Sequence, residues 1–99
     1  MILELADIRI QPGQQAAFEE AIQRGVTTVI AHAKGFQGFK VNHSLESPER
    51  YVLMIYWTTL ENHTVDFRES EAFARWRGHV GPFFLSPPNV EHFTLAHKS

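Results

Sequence analysis

The stretch YVLMIYW, residues 51–57, lacks the alternation of apolar and polar residues that is typical of a strand with one face in water. The turn residues Ser47, Pro48 and Glu49 come just before it, and the alternating stretch FKVNHSL, residues 39–45, comes before the turn. These two stretches predict a β-hairpin. Both faces of its second strand must be covered, so the fold has to supply two layers.

The rest of the chain predicts one of those layers. Residues 2–10 read as a strand that ends at Pro12-Gly13, and residues 14–33 carry the apolar spacing of an amphipathic helix. We expect that helix to bend or break at Gly25. A second helical region follows in two pieces, residues 60–67 and from Ser70 onward, and residues 90–97 read as the last strand. The order βαββαβ predicts an α+β, ferredoxin-like fold, with a four-stranded antiparallel sheet and both helices on one face.

The other face of the sheet needs a different cover. Leaving Val52, Met54 and Tyr56 in water would forgo roughly 1.5 to 3 kcal/mol for each side chain. Only Lys98 and Ser99 follow the predicted last strand, which leaves little chain to fold over that face. We therefore expect a second copy of the chain to pack there, sheet against sheet, as a homodimer.

Composition narrows the class of partner. The 99 residues predict a single domain, residues 1–99, and a formal net charge of −2 offers no field for a nucleic acid. There is no cysteine, which rules out disulfides and thiolate metal sites. The charged residues in MILELADIRI exclude a membrane span at the start of the chain, so we expect a cytoplasmic protein without a membrane partner.

Four segments carry a resemblance to a known family: ADIRIQPGQ (residues 6–14), GFQGFKVNHSLESPERYVLMIYW (35–57), TLENHTVDFRESEAFARW (59–76) and VEHF (90–93). In order and spacing they resemble the antibiotic biosynthesis monooxygenase domain, whose members are dimeric α+β barrels. The resemblance implies oxygenation of a small phenolic, anthrone or quinol-type aromatic by O₂ without metal, flavin or haem. It also implies a cavity between the sheet and the helices of each subunit.

Within that resemblance, His63 is the candidate base and Arg68 the candidate stabiliser of an anion. Both have simpler readings, since His63 could face solvent or cap a helix, and Arg68 could pair with Glu69 or Glu71. The predicted substrate-binding residues are Trp57, Trp76, His43, His79 and Phe67. The two tryptophans also fit an ordinary core, and we expect His92 to form a hydrogen bond at the dimer interface.

Cofactor-dependent readings find less support in the sequence. No two of the six histidines have the spacing of a helical or strand zinc pair, so no metal site is predicted. The haem-degrading branch of the family uses Asn, Trp and His, whereas this chain has Ala6, then Asp66 or Phe67, then Trp76 or Arg77 at those places. The alternative to an oxygenase is a non-catalytic dimeric domain that binds a hydrophobic metabolite.

Overall fold

The computed structural model describes all 99 residues and has the predicted order of elements. They are β1 (Ile2–Arg9), α1 (Gln15–Thr28), β2 (Phe36–His43), β3 (Arg50–Trp57), α2 (Glu71–Val80) and β4 (Asn89–Phe93). A 3-10 turn, Ile30–His32, follows α1, a π-helical segment, Asn62–Phe67, precedes α2, and a second 3-10 turn, Gly81–Phe83, follows it. The predicted ferredoxin-like α+β fold is confirmed.

The stretch YVLMIYW lies in the middle of the sheet, as its composition requires. The strand order is β2-β3-β1-β4, and every neighbouring pair is antiparallel. Alternate residues of β3 are buried beneath the helices, namely Tyr51, Leu53, Ile55 and Trp57. The residues between them, Val52, Met54 and Tyr56, point to the opposite face and are partly exposed. We refer to that opposite side as the open face of the sheet.

Helix α1 is continuous through Gly25, so of the expected bend or break the break is wrong. A Cβ atom at Gly25 would stand 3.0 Å from ring atoms of Trp76 on α2, and the glycine is what lets the two helices approach so closely. The helix ends at Thr28 instead of residue 33. The hydroxyls of Thr27 and Thr28 donate to carbonyls one turn back, and the chain then tightens into the 3-10 turn.

The strand ends also differ from the prediction, because they depend on partners. The β2 strand begins earlier, at Phe36, with a bulge before Gly38, and it ends at His43, which leaves Leu45 93% exposed in the turn. The β4 strand stops at Phe93, which pairs with Leu3 near the start of β1. Residues 94–97 have almost no strand left to pair with, and Leu95 is exposed.

No helix combines the length and the apolar character needed to cross a bilayer.

Candidate functional site

A cavity of about 490 Å³ lies between the sheet and the second helical region. This volume falls within the range of about 300 to 1,000 Å³ that is usual for small-molecule sites. Ten of its 18 lining residues are hydrophobic, so the walls are mainly apolar. The strands contribute Glu4, Ala6, Ile8, Leu53 and Val90; the 3-10 turn after α1 contributes Ile30; the second helical region contributes His63, Phe67, Arg68, Phe73, Trp76 and Arg77; and the segment after α2 contributes Gly81 and the residues from Phe84 to Pro88.

Glu4 is the acidic residue of the cavity wall, and the register of β1 puts it there. Glu4, Ala6 and Ile8 alternate on the helix side of the strand, so the carboxyl occupies a position where an apolar residue is usual. Its side chain is only 8% exposed. The indole Nε1–H of Trp57 donates a hydrogen bond of 2.9 Å to Oε1 of Glu4. A buried carboxylate is thus held by a donor from the central strand.

The π-helical segment, Asn62–Phe67, brings His63 and Arg68 to the same side. The backbone N–H of Arg68 donates to the carbonyl of His63 at 3.0 Å, which is the five-residue hydrogen bond of a π-turn. In a regular α-helix, residues five apart point roughly 140° away from each other. The wider turn removes most of that angle, and both side chains line the cavity.

The start of this segment is fixed by reciprocal hydrogen bonds between Thr59 and Asn62. The backbone N–H of Asn62 donates to Oγ1 of Thr59 at 3.2 Å, and that of Thr59 donates to Oδ1 of Asn62 at 3.0 Å. Thr59 and Asn62 thus form a capping box in which Asn62 takes the place usually held by Glu or Gln. Gly35 lies against Asn62, and a Cβ there would fall 2.0 Å from Oδ1, so only glycine fits.

Two histidines and Glu4 form a connected chain of side chains. Nδ1 of His63 lies 2.8 Å from Nε2 of His92, and Nε2 of His63 lies 3.4 Å from Oε1 of Glu4. The His63 ring also stacks on the Trp57 indole, with ring centroids 5.5 Å apart. His92 and Glu4 are cross-strand partners, so His92 faces the helices. The expectation that His92 bonds at the dimer interface is wrong for that reason.

Burial shifts the pKa values of all three groups towards their uncharged forms. Desolvation raises the pKa of Glu4 from 4.5 to about 7, although the Trp57 hydrogen bond and the charge of Arg68 oppose the rise. Burial, then the charges of Arg68 and His92, lowers the pKa of His63 from 6.5 to about 4. Burial and Arg68 also lower the pKa of His92. Near neutral pH, both imidazoles are therefore uncharged and the Glu4 carboxyl is poised between its two states.

Arg68 and Arg77 give the cavity a positive character. Neither guanidinium lies within 4.0 Å of a carboxylate, so the pairing of Arg68 with Glu69 or Glu71 does not form. Arg77 instead lies over the Phe73 ring, 5.8 Å from its centroid. The cavity thus combines apolar walls, a carboxyl that is easily protonated, and two cations free to meet an anion.

The predicted site residues separate into two groups. His63, Arg68, Phe67 and Trp76 meet at the cavity. Trp57 does not line it, because it is fully buried behind His63 and Glu4. His43 stacks on Tyr51 beside a second, smaller hollow, with ring centroids 4.3 Å apart, and His79 packs against Gly25.

Glu4 and His92 are the residues that sequence reasoning missed. Glu4 could have been found, since it shares the two-residue period of Ala6, Ile8 and Ile10, so a charge on the apolar face was visible in the sequence. His92 required the register between β1 and β4. The side chains form no group of three or more His, Asp or Glu suited to a metal ion, and both nitrogens of His63 already face other side chains.

Comparisons with known proteins agree on one family for this chain. The family model described as antibiotic biosynthesis monooxygenase matches residues 1–79. The uncharacterised protein YczJ of Bacillus subtilis is 33% identical over 93 residues, covering 94% of this chain and 97% of its own length. A provisionally assigned antibiotic biosynthesis monooxygenase from Bordetella bronchiseptica has a crystal structure that superposes with a TM-score of 0.91 at 40% identity, with 97% of each chain covered.

A more distant structure shares the fold. It is the monooxygenase from the gene ActVA-Orf6 of Streptomyces coelicolor in complex with nanaomycin D, with a TM-score of 0.83 and 19% identity over 99% of this chain and 89% of that one. The family model covers most of the chain, and the nearer relatives cover almost all of it. The chain therefore belongs to the antibiotic biosynthesis monooxygenase family.

Proposed function

We propose that this protein is a cofactor-independent monooxygenase that oxidises a small phenolic, anthrone or quinol-type aromatic with O₂. The observation that carries the proposal is the apolar cavity of about 490 Å³ with an acid–base cluster and Arg68 on its wall. Membership of the family supports monooxygenase chemistry. The complex of the Streptomyces coelicolor monooxygenase with nanaomycin D supports the binding of a small organic molecule by a protein of this fold.

The reaction needs little from the protein beyond proton transfer and shelter. Loss of the phenolic proton leaves an electron-rich anion, and this anion reduces O₂ and forms a carbon–oxygen bond as a peroxide. Loss of the hydrogen on that carbon, with cleavage of the O–O bond, then gives a quinone or ketone and one water. The substrate supplies all the electrons, one oxygen atom enters the product, and the other leaves as water.

The cavity residues match these requirements. Glu4 and His63 are acid–base groups in contact with each other, suited to handling the phenolic proton. Arg68 carries a positive charge close enough to influence both of them, and it would stabilise the phenolate and the peroxide anion. Phe67, Phe73 and Trp76 provide flat aromatic walls for the rings of the substrate.

We also propose that the protein is a homodimer that packs through the open face of the sheet. Leu3 and Leu5 of β1 lie beside Met54 and Tyr56 of β3 on that face, where Phe93 of β4 is 43% exposed. A second copy of the chain would bury this surface by the same sheet-to-sheet contact on both subunits. Closing the sheet in this way would also hold β1, and with it Glu4, in position beneath the helices.

Oxygen uptake tests the catalytic proposal. Protein treated with chelator should consume O₂ in the presence of anthrones or quinols, because no metal takes part. Arg68→Gln should lower kcat by about 10- to 100-fold, since a charged stabilising group is lost. Arg75→Gln is the matched control, because Arg75 is an exposed, unpaired arginine of α2 that does not line the cavity.

Other outcomes would redirect the assignment. Unchanged turnover in both His63→Ala and Arg68→Gln would remove the cavity from the reaction. Tight binding of the aromatic without any O₂ consumption would favour the alternative, a dimeric domain that binds a hydrophobic metabolite.

A further inference from the structure

The contacts of the acid–base cluster distinguish the group that meets substrate from the groups behind it. Each nitrogen of His63 already faces a neighbour, His92 on one side and Glu4 on the other. A phenol could reach His63 only by displacing one of them. On Glu4, both Trp57 and His63 approach Oε1, and neither contact involves Oε2. Every buried side-chain polar atom has a hydrogen-bond partner, so Oε2, which has none, is not buried. Because Glu4 lines the cavity, Oε2 is the oxygen that is open to it.

We propose that Glu4 takes the proton of the substrate in the oxygenase reaction, and that His63 and His92 form a proton-conducting chain from Glu4 to the β4 edge of the sheet. This inference rests on the proposed function. It assigns Glu4 as a catalytic residue and the two histidines as groups that act through it. Such a chain is needed because a substrate that fills the cavity separates Glu4 from water. His92, in contrast, is only partly buried.

The chain has two arrangements, and neither contains a charged imidazole. When Glu4 is ionised, Nε2–H of His63 faces the carboxylate across 3.4 Å, and Nε2–H of His92 donates to Nδ1 of His63. When Glu4 has taken a proton at Oε2, rotation of the carboxyl group brings the protonated oxygen to His63 and every donor reverses: the carboxyl donates to Nε2 of His63, and Nδ1–H of His63 donates to Nε2 of His92. Nδ1 of His92 then holds the outermost proton.

Passing from the second arrangement to the first moves one proton across each contact. Glu4 gives its proton to Nε2 of His63, His63 gives its Nδ1 proton to His92, and His92 releases its Nδ1 proton. The reverse sequence returns a proton to Glu4 for the peroxide. Since each ring gains and loses one proton, both remain neutral before and after the transfer. The lowered pKa of His63 agrees with this, because a buried imidazolium is never required to persist.

Strand geometry explains why these three residues meet. Glu4 and His92 are directly paired on adjacent strands, and the π-helical segment places the His63 ring over the pair. Arg68 is the charged group of the helical region that influences all three, and it disfavours positive charge on either histidine. The arrangement thus favours transfer through neutral rings over storage of the proton on one ring.

Isosteric variants test the assignment through turnover. Glu4→Gln keeps an acceptor for Trp57 but cannot take a proton, and kcat should fall by about 100-fold or more with little change in KM. His92→Gln keeps a hydrogen-bonding group beside His63 but cannot pass a proton, so kcat should fall by about tenfold. Imidazole added to His92→Ala should restore part of the loss. Glu61→Gln and His32→Gln, both at exposed positions, are the matched controls.

Nitrogen NMR of the histidine rings tests the chain without turnover. In the ligand-free wild type, the tautomers of His63 and His92 should switch together as Glu4 titrates near pH 7, and in Glu4→Gln they should stay fixed. Wild-type turnover in Glu4→Gln would overturn the catalytic assignment and leave the oxygenase proposal standing. Tautomers that do not change between pH 5.5 and 8.5 would overturn the chain. Absence of O₂ uptake by the wild type would refute the oxygenase, and the NMR result would then decide the chain alone.

Discussion

Replacing Glu4 with glutamine should stabilise the protein at alkaline pH and leave it unchanged at acid pH. In the unfolded chain the carboxyl ionises with a pKa of 4.5, whereas in the fold burial raises that pKa to about 7. Because one pKa unit is worth about 1.36 kcal/mol, the fold loses about 3 kcal/mol by keeping this carboxylate ionised above pH 7. Glutamine fills the same volume, still accepts from Trp57, and has no charge to desolvate.

The sign follows from the order in which the two states lose the proton. Below pH 4.5 the carboxyl is protonated in both states, and the full stability is present. As the pH rises through the interval from 4.5 to about 7, the unfolded chain ionises first, and the free energy of unfolding falls until the folded state ionises as well. His63 has the opposite effect on the free energy of unfolding. Because burial lowers its pKa from 6.5 to about 4, the fold loses stability as the pH falls through that interval.

Urea unfolding of wild type and Glu4→Gln at pH 4.5, 6 and 8 measures the effect, with protein concentration held constant. The difference in free energy of unfolding should be near zero at the lowest pH and reach about 3 kcal/mol in favour of the variant at the highest. Glu61→Gln, at an exposed position, should stay within about 0.5 kcal/mol of wild type throughout. A variant less stable than wild type at pH 8, or a difference independent of pH, would refute the assignment of Glu4 as a desolvated acid.

Two further predictions concern packing. Met54→Lys puts a charge in the centre of the open face and should convert a dimer into monomers in sedimentation experiments; Ala17→Lys, on the exposed side of α1, should not, and a monomeric wild type would contradict the homodimer. Gly25→Ala brings a Cβ within 3.0 Å of the Trp76 ring and should lower the free energy of unfolding by about 1 to 3 kcal/mol. Gly78 on α2 has open space around it, so Gly78→Ala should raise the free energy of unfolding by roughly 0.5 to 1 kcal/mol. Equal effects of Gly25→Ala and Gly78→Ala would show that the contact between the helices tolerates a methyl group.

The fold could be predicted from the sequence because its main signals lie in short, local stretches of apolar residues. The unbroken apolar run of β3 required cover on both faces, and the spacing of Phe18, Ile22 and Val26 indicated the buried side of α1. The ends of the elements were harder, since β4 stops where β1 no longer offers a partner. Gly25 misled for a similar reason, because its role depends on Trp76, which is distant in sequence.

The site was predictable only where the local sequence determines which way the side chains point. His63, Arg68 and Phe67 lie on one short segment and reach the cavity together. The π-turn that aligns His63 with Arg68 has no recognisable sequence pattern. Trp57 was misplaced because its indole turns to the buried Glu4 and is covered by the His63 ring. The cluster of Glu4, His63 and His92 comes from three elements: the register between β1 and β4 pairs Glu4 with His92, and the π-helical segment places His63 over them.

The energetics of Glu4 connect the fold to the proposed chemistry. An amide or an apolar side chain at this position would avoid the loss of about 3 kcal/mol at alkaline pH, so stability alone gives no reason for a carboxyl there. The same burial that weakens the fold brings the pKa of Glu4 close to neutral, where a general base is most effective. If Glu4→Gln proves both more stable at pH 8 and inactive, one desolvated carboxyl will account for both observations. A variant that is more stable yet fully active would leave the burial of this charge without a chemical explanation.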